Sequence, residues 1–222
     1  MSEFPDWLVP IREGVRNIKG EDLSSFLPPA DAGARPGAVL MLFGEGPQGP
    51  DLLLTERAHD MRSHPGQVSF PGGAVDVTDE SPIAAALREA QEETGVDPSG
   101  VEVFGTLPAL WLPPSNFAVT PVLGWWRDES AVGVVDTAEV NAVLRVPLEE
   151  LLDPKHRVTV FHPIGYSSPG FLIGADHELI LWGFTAGLIN KLFDYVGLTR
   201  EWDTTVMQAL PEHMLGLRKD EA

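Results

Sequence analysis

Residues Leu53 to Val96 read LLTERAHDMRSHPGQVSFPGGAVDVTDESPIAAALREAQEETGV. The second half of this stretch predicts a helix with both ends marked. Ser81 is an N-cap residue, and Pro82 sits at the first helical position, where a missing N–H does no harm. Gly95 suits the position after the last turn, because glycine accepts a left-handed backbone. Between these ends Ile83, Leu87, Ala90 and Thr94 share one stripe at helical spacing. Glu89, Glu92 and Glu93 share another, at i, i+3 and i+4.

Three carboxylates on one helical face repel one another, so the pattern asks for compensating positive charge. Arg88 reaches Glu92 at i+4 and supplies part of it. A hard divalent cation is the other candidate, since Mg²⁺ and Mn²⁺ prefer oxygen ligands and sit between carboxylates and phosphates. A solvated acidic face is the plain alternative. Ahead of the helix, Phe70-Pro71-Gly72-Gly73 predicts a tight turn whose glycines let backbone approach a ligand closely.

Gly73, Glu80 and the run Arg88-Glu89-Ala90-Gln91-Glu92-Glu93-Thr94-Gly95-Val96 together resemble the Nudix box, G-x5-E-x7-R-E-U-x-E-E-x-G-U, with U a bulky apolar residue. Two departures stand out. Six residues separate Gly73 from Glu80 instead of five, so either the loop holds one extra residue or Asp79 takes the acidic role. Ala90 is smaller than the usual residue at its U position. The first half of the stretch adds Leu53-Leu54-Thr55, Arg57-Ala58, Arg62, Gly66 and Phe70-Pro71-Gly72-Gly73. These match LLTxR(S/A)x3Rx3Gx3FPGG, a pattern that accompanies the Nudix box in coenzyme A pyrophosphatases. Guanidinium forks at Arg57 and Arg62 suit phosphate recognition, with ordinary surface ion pairs as the bland reading.

The resemblance implies an α/β fold, a Nudix-type α/β/α sandwich with a mixed β-sheet and the box as a loop–helix–loop. Alternating strand runs and helices agree with that class. It implies hydrolysis of a nucleoside diphosphate derivative, here coenzyme A, to 3′,5′-ADP and 4′-phosphopantetheine with Mg²⁺ or Mn²⁺. Glu89, Glu92 and Glu93 would be metal ligands with the Gly73 carbonyl, and Glu89 would orient or deprotonate the water. Arg88 would hold the carboxylates in position. Arg57 and Arg62, with Gly72 and Gly73, would meet the substrate. Rival readings are ADP-ribose, nucleotide sugars or dinucleoside polyphosphates as substrates, and a Nudix-fold nucleotide-binding module without catalysis. The intact Arg88, Glu89, Glu92 and Glu93 speak against the last.

Composition bounds these readings. The chain has 222 residues, 43% of them apolar, which suits one domain with a filled core. A formal net charge of −18 argues against general nucleic-acid or anionic-membrane binding. A bound metal can still reverse the local field for an anionic substrate. The chain has no cysteine and no window suggesting a membrane span, so the expectation is a cytoplasmic enzyme.

Along the chain we expect an N-terminal arm over 1–36, a Nudix hydrolase domain over 37–200 and a C-terminal extension over 201–222. The arm holds a short amphipathic helix around Trp7, Ile11 and Val15. Ala38 to Phe43 is a continuous apolar run, as in a strand buried on both faces, and Leu52 to Arg57 is its hairpin partner. His59 and His64 lie in a loop and face substrate or serve structure, since their spacing is not a zinc signature. Strands are expected at Val101–Leu107 and Phe117–Trp126. Pro108 to Asn116 reads as a loop whose Trp111 either stacks on a base or caps the core edge. Glu139, ahead of a strand, is a further acidic candidate, and Leu148 to Leu152 a short helix. Arg157–Phe161 and Phe171–Ile173 read as a hairpin. His177 to Leu198 reads as one long apolar helix, a core element or a homodimer interface. Glu201 onward reads as a short helix and a frayed tail.

Overall fold

The structure is a computed structural model that describes residues 3–28, 33–61, 64–162, 165–211 and 214. In chain order the described elements are α1 (Val9–Val15), α2 (Gly20–Leu23), β1 (Arg35–Gly46), β2 (Gly49–Arg57), β3 (Val68–Ser69), β4 (Gly72–Ala74) and α3 (Pro82–Thr94). Then come β5 (Val101–Thr106), β6 (Leu110–Leu112), β7 (Phe117–Trp126), β8 (Val140–Pro147), α4 (Leu148–Leu152), β9 (Arg157–His162) and β10 (Tyr166–Ile173). β11 (Leu179–Leu181), α5 (Gly183–Tyr195) and β12 (Met207–Ala209) complete the described chain.

The main sheet runs β3-β2-β1-β7-β5, with β4 added to β1, β6 to β7 and β8 to β2. It is mixed, because β1 and β7 are parallel while β1 and β2 form an antiparallel hairpin. Alternation along β1 sends side chains to two cores. Ala38, Leu40 and Leu42 meet Leu53, Val122 and Trp126 beneath Ala85, Ala86 and Ala90 of α3. Met41 and Phe43 meet Leu52, Leu54 and Leu123 on the other face, under Leu188, Ile189 and Leu192 of α5. Helices therefore cover both faces, and the fold is the expected α/β/α sandwich. The small Ala90 has a reason here: it is 0% exposed, and its size lets α3 lie close on the sheet.

A second described sheet runs β11-β10-β9-β12. Three sequence readings change at its borders and at β6. Leu179–Leu181 is a strand paired to Phe171–Ile173, so the helix starts only at Gly183. A short apolar run has no period of its own, and an open strand edge claimed it. The described part of the C-terminal extension forms β12, parallel to β9, instead of a helix. Leu110–Leu112 pairs with the start of β7, where a loop was expected. The N-terminal segment is also docked: Leu8 and Ile11 are fully buried in the same cluster as Phe43 and Phe193. Leu188, Ile189, Leu192 and Phe193 of α5 are spent in that core, which removes the reason for reading the helix as a dimer interface. Among the described residues no helix is long and apolar enough to cross a membrane.

Candidate active site

Helix α3 forms where its signals lie. The Ser81 hydroxyl accepts a bond from Ala84 N–H at 3.2 Å, and Gly95 ends the helix at φ 75°. Strand β4 lies beside it, paired to β1 with Val39 opposite Gly72 and Ala38 opposite Gly73. Gly72 has φ 154°, and a Cβ there would stand 2.3 Å from the Ala38 carbonyl oxygen, so only glycine fits. A Cβ on Gly73 would stand 2.6 Å from Glu89 Oε1. The two glycines thus bring bare backbone against the helix carboxylates.

Glu93 is the buried member, 5% exposed. Its Oε2 accepts the Gly72 N–H at 3.1 Å. Burial is the main cause that pushes its pKa up to about 7; the Glu89 and Glu139 charges add to the rise, and the Gly72 bond and Arg57 oppose it. Burial also raises Glu89, against the nearby Arg88. Arg88 is the clamp. Its Nη1 reaches Glu89 at 3.0 Å and Glu92 at 2.9 Å, and its Nη2 donates to the Ala74 carbonyl. Its Nε and Nη2 form a two-pronged bond to Asp79, at 3.1 and 2.9 Å.

That last pair bears on the loop count. Arg88 holds Asp79 below the usual carboxylate range, while Glu80 is exposed. Gly73 and Asp79 enclose five residues, the spacing of the box.

Arg57 ends β2 within electrostatic reach of Glu93. Its Nη2 lies 3.0 Å from Met61 Sδ, and its Nε is buried with no hydrogen-bond partner among the described residues. Arg62 lies outside the described residues. Glu139 is exposed, and its charge acts on both Glu89 and Glu93, which places it beside the cluster. One feature escaped the sequence reading. Glu56, only 7% exposed, holds His59 at 3.0 Å and the Asn141 amide at 2.7 Å. Nothing in their spacing announces this, because the strand pairing of β2 with β8 creates it. His64 is lowered by burial and by Arg57, which suits a structural role. Trp111 is half-buried and donates to Asn116 Oδ1 at 3.1 Å, within the β6–β7 hairpin.

Among the described residues no three acidic or histidine side chains stand ready around one metal position. The Arg88 guanidinium, bonded to both Glu89 and Glu92, accounts for that. The chemistry of the donor set fits a hard cation nonetheless. Burial raises both Glu89 and Glu93, with Glu92 and Glu139 adding to the first and Glu89 and Glu139 to the second, and among the described residues Glu93 accepts one backbone bond and no guanidinium bond.

A model of the NUDIX domain matches residues 33–163, and the chain belongs to the Nudix family. It is 43% identical over 169 residues to an uncharacterized Nudix hydrolase, NudL, of Enterobacter sp. (strain 638), covering 74% of this chain and 84% of that one. A NudL of Shigella flexneri is 41% identical over the same shares. Among solved structures, a MutT/nudix family protein from Enterococcus faecalis aligns at 17% identity and a TM-score of 0.49, covering 88% of this chain and 76% of that one. The chain is thus an enzyme of the Nudix pyrophosphohydrolase kind.

Proposed function

We propose that the enzyme hydrolyses the pyrophosphate bond of coenzyme A, or of its derivatives, to 3′,5′-ADP and 4′-phosphopantetheine. The observation that carries this reading is the second motif ahead of the box, Leu53 to Gly73, whose Arg57 ends β2 beside the carboxylate cluster with a buried Nε that has no hydrogen-bond partner among the described residues. That Nε and the rest of the fork suit a phosphate oxygen.

Glu89, Glu92 and Glu93, with the Gly73 carbonyl, would hold Mg²⁺ or Mn²⁺ in this reading. A bound divalent ion neutralises diphosphate oxygens and makes water at the site more acidic. The chain's own residues do the rest. Glu89, held by Arg88 on the cluster's face of α3, would orient the attacking water or accept its proton. Arg88, anchored on Asp79 and the Ala74 carbonyl, fixes the Glu89 and Glu92 carboxylates in place. Gly72 and Gly73 bring backbone close against Glu93 and Glu89, and Arg57 and Arg62 bind the charge of the diphosphate or the 3′-phosphate. Phosphoryl transfer needs little else, because positioning and electrostatics carry most of the catalysis.

Product masses test this. The purified enzyme is incubated with coenzyme A, ADP-ribose or a diadenosine polyphosphate, each with Mg²⁺, Mn²⁺ or chelator. Metal-dependent release of 3′,5′-ADP and phosphopantetheine, faster than any other product, is the expected result. Cleavage of ADP-ribose with coenzyme A untouched would sink the substrate assignment and keep the chemistry.

A further inference from the structure

Beside the carboxylate cluster lies a cavity of about 410 Å³, within the ~300–1,000 Å³ usual for small-molecule sites. One wall follows Arg57 in sequence and carries His59 and Asp60; the other flanks Glu139 and carries Val134, Thr137, Val140 and Asn141. The two walls are tied together by the Ala58 N–H bond to the Glu139 carbonyl, at 2.8 Å. The loop bearing Val134 is fastened to the end of α3, through Val135 N–H to the Glu93 carbonyl at 3.2 Å and Gly133 N–H to the Thr94 carbonyl at 3.0 Å. The cavity is therefore fixed in place relative to the cluster.

Its chemistry is unlike that of a phosphate site. Among the described residues no arginine or lysine lines it, Asp60 does, and Glu56 and Glu139 stand next to it. An anion would meet repulsion from these carboxylates. Among the described residues no Phe, Tyr or Trp offers a stacking face for a base. The lining instead mixes valine side chains with the Asn141 amide, the Thr137 hydroxyl and the Asp60 carboxylate. The buried Glu56 holds both walls in register, with Oε1 3.0 Å from His59 and Oε2 accepting from Asn141 at 2.7 Å. With its Nδ2 committed to Glu56, Asn141 turns its Oδ1 to the role of acceptor.

We infer that this cavity receives the neutral, amide-bearing arm of the substrate, with Asn141 and Thr137 as specificity-determining residues. A pantetheine arm has methylenes and methyls for Val134 and Val140, and amide N–H groups for Asn141 Oδ1 and Asp60. The inference rests on the coenzyme A reading and deepens it.

Calorimetric titrations in the presence of Mg²⁺ test it with 4′-phosphopantetheine and 3′,5′-ADP as probes. Asn141→Ala, at an exposed position, weakens phosphopantetheine about tenfold and leaves 3′,5′-ADP unchanged. Thr137→Val, also exposed, acts in the same direction. On coenzyme A the loss falls on KM more than on kcat. Equal weakening of both probes, weakening of 3′,5′-ADP alone, or no weakening overturns the inference, as does wild-type enzyme that fails to bind phosphopantetheine. If coenzyme A is not hydrolysed yet phosphopantetheine binds through Asn141, the activity reading falls and the cavity assignment stands.

Discussion

The arginine–carboxylate clusters of Arg145 and Arg88, both packed on this sheet, are built to opposite ends. Arg145 on β8 meets two carboxylates with paired bonds to each, Asp51 at 2.7 and 3.1 Å and Glu129 at 2.7 and 2.7 Å, although burial still raises Asp51. Glu129 also accepts the Glu45 N–H, and the guanidinium lies 5.0 Å from the Trp126 ring centre. Burial works against Glu129, yet the Arg145 bonds hold its pKa below the ordinary range. Arg88 on α3 must serve Asp79, Glu89 and Glu92 at once, and Glu93 and Glu139 stand near with no direct bond to it. The first cluster closes on itself and holds strands together. The second is short of positive charge, and the proposed cation would relieve that deficit. Paired charges of similar make can thus serve stability or chemistry, and the count of partners decides which.

The largest expected difference between the clusters is in turnover. Glu93→Gln and Glu89→Gln should each lower kcat by about 10²–10³-fold, the usual scale for losing a group that acts on the reacting water or holds its metal. Metal-free, the Glu93→Gln protein should melt at or above the wild type at pH 8, because a buried charge is gone; a steep fall in Tm would place Glu93 among structural pairs. Arg145→Met should do the reverse. It strands Asp51, whose side chain is 5% exposed, and should cost ~3 kcal/mol in denaturant unfolding. Residual turnover of the folded fraction should stay within a few-fold of wild type.

The pH dependence sharpens the contrast further. Folding raises Glu93 from an ordinary 4.5 to about 7, so the folded state holds its proton more tightly. The corresponding stabilisation is full below about pH 4.5 and is lost as pH rises through about 7, an effect of up to ~3 kcal/mol at this burial. Chelator-treated wild type should lose more stability over that window than Glu93→Gln, as read from urea midpoints at pH 5 and 8, because Glu89 and Asp51, also raised by burial, remain in both. Metal affinity should move the other way, rising as Glu93 deprotonates. Smaller again is the loop effect. Asp79→Asn should lower kcat about tenfold by freeing Arg88, whereas Glu80→Gln should change nothing measurable; equal effects would count against Asp79 in the acidic role. Smallest is Gly95→Ala, at φ 75°, which should cost ~1 kcal/mol of stability with kcat intact.

Much of the site was legible because its residues are local. One helix with clear caps carries Arg88, Glu89, Glu92 and Glu93, and helical spacing alone puts the glutamates together. The two-faced burial of β1 was also visible, since Ala38 to Phe43 is apolar at every position. What was hidden depends on pairing between distant segments. Leu179–Leu181 looks like the first turn of α5 until β10 is there to pair with it. Met207–Ala209 has no strand signature and is held by β9. Glu56 and Asn141 meet only through the β2–β8 register. Asp79 and Glu80 are adjacent acids, and only the direction of Arg88 separates them.

The most direct test is a Mn²⁺ titration of the chelator-stripped enzyme at pH 8, followed by the signal of free Mn²⁺. The deficit of positive charge at α3 predicts saturable binding by wild type. It also predicts binding at least about tenfold weaker for Glu93→Gln and unchanged for Arg145→Met at temperatures where that variant is folded. Equal Mn²⁺ affinity in wild type and Glu93→Gln would contradict the account, because the carboxylates of α3 would then not be where the cation goes.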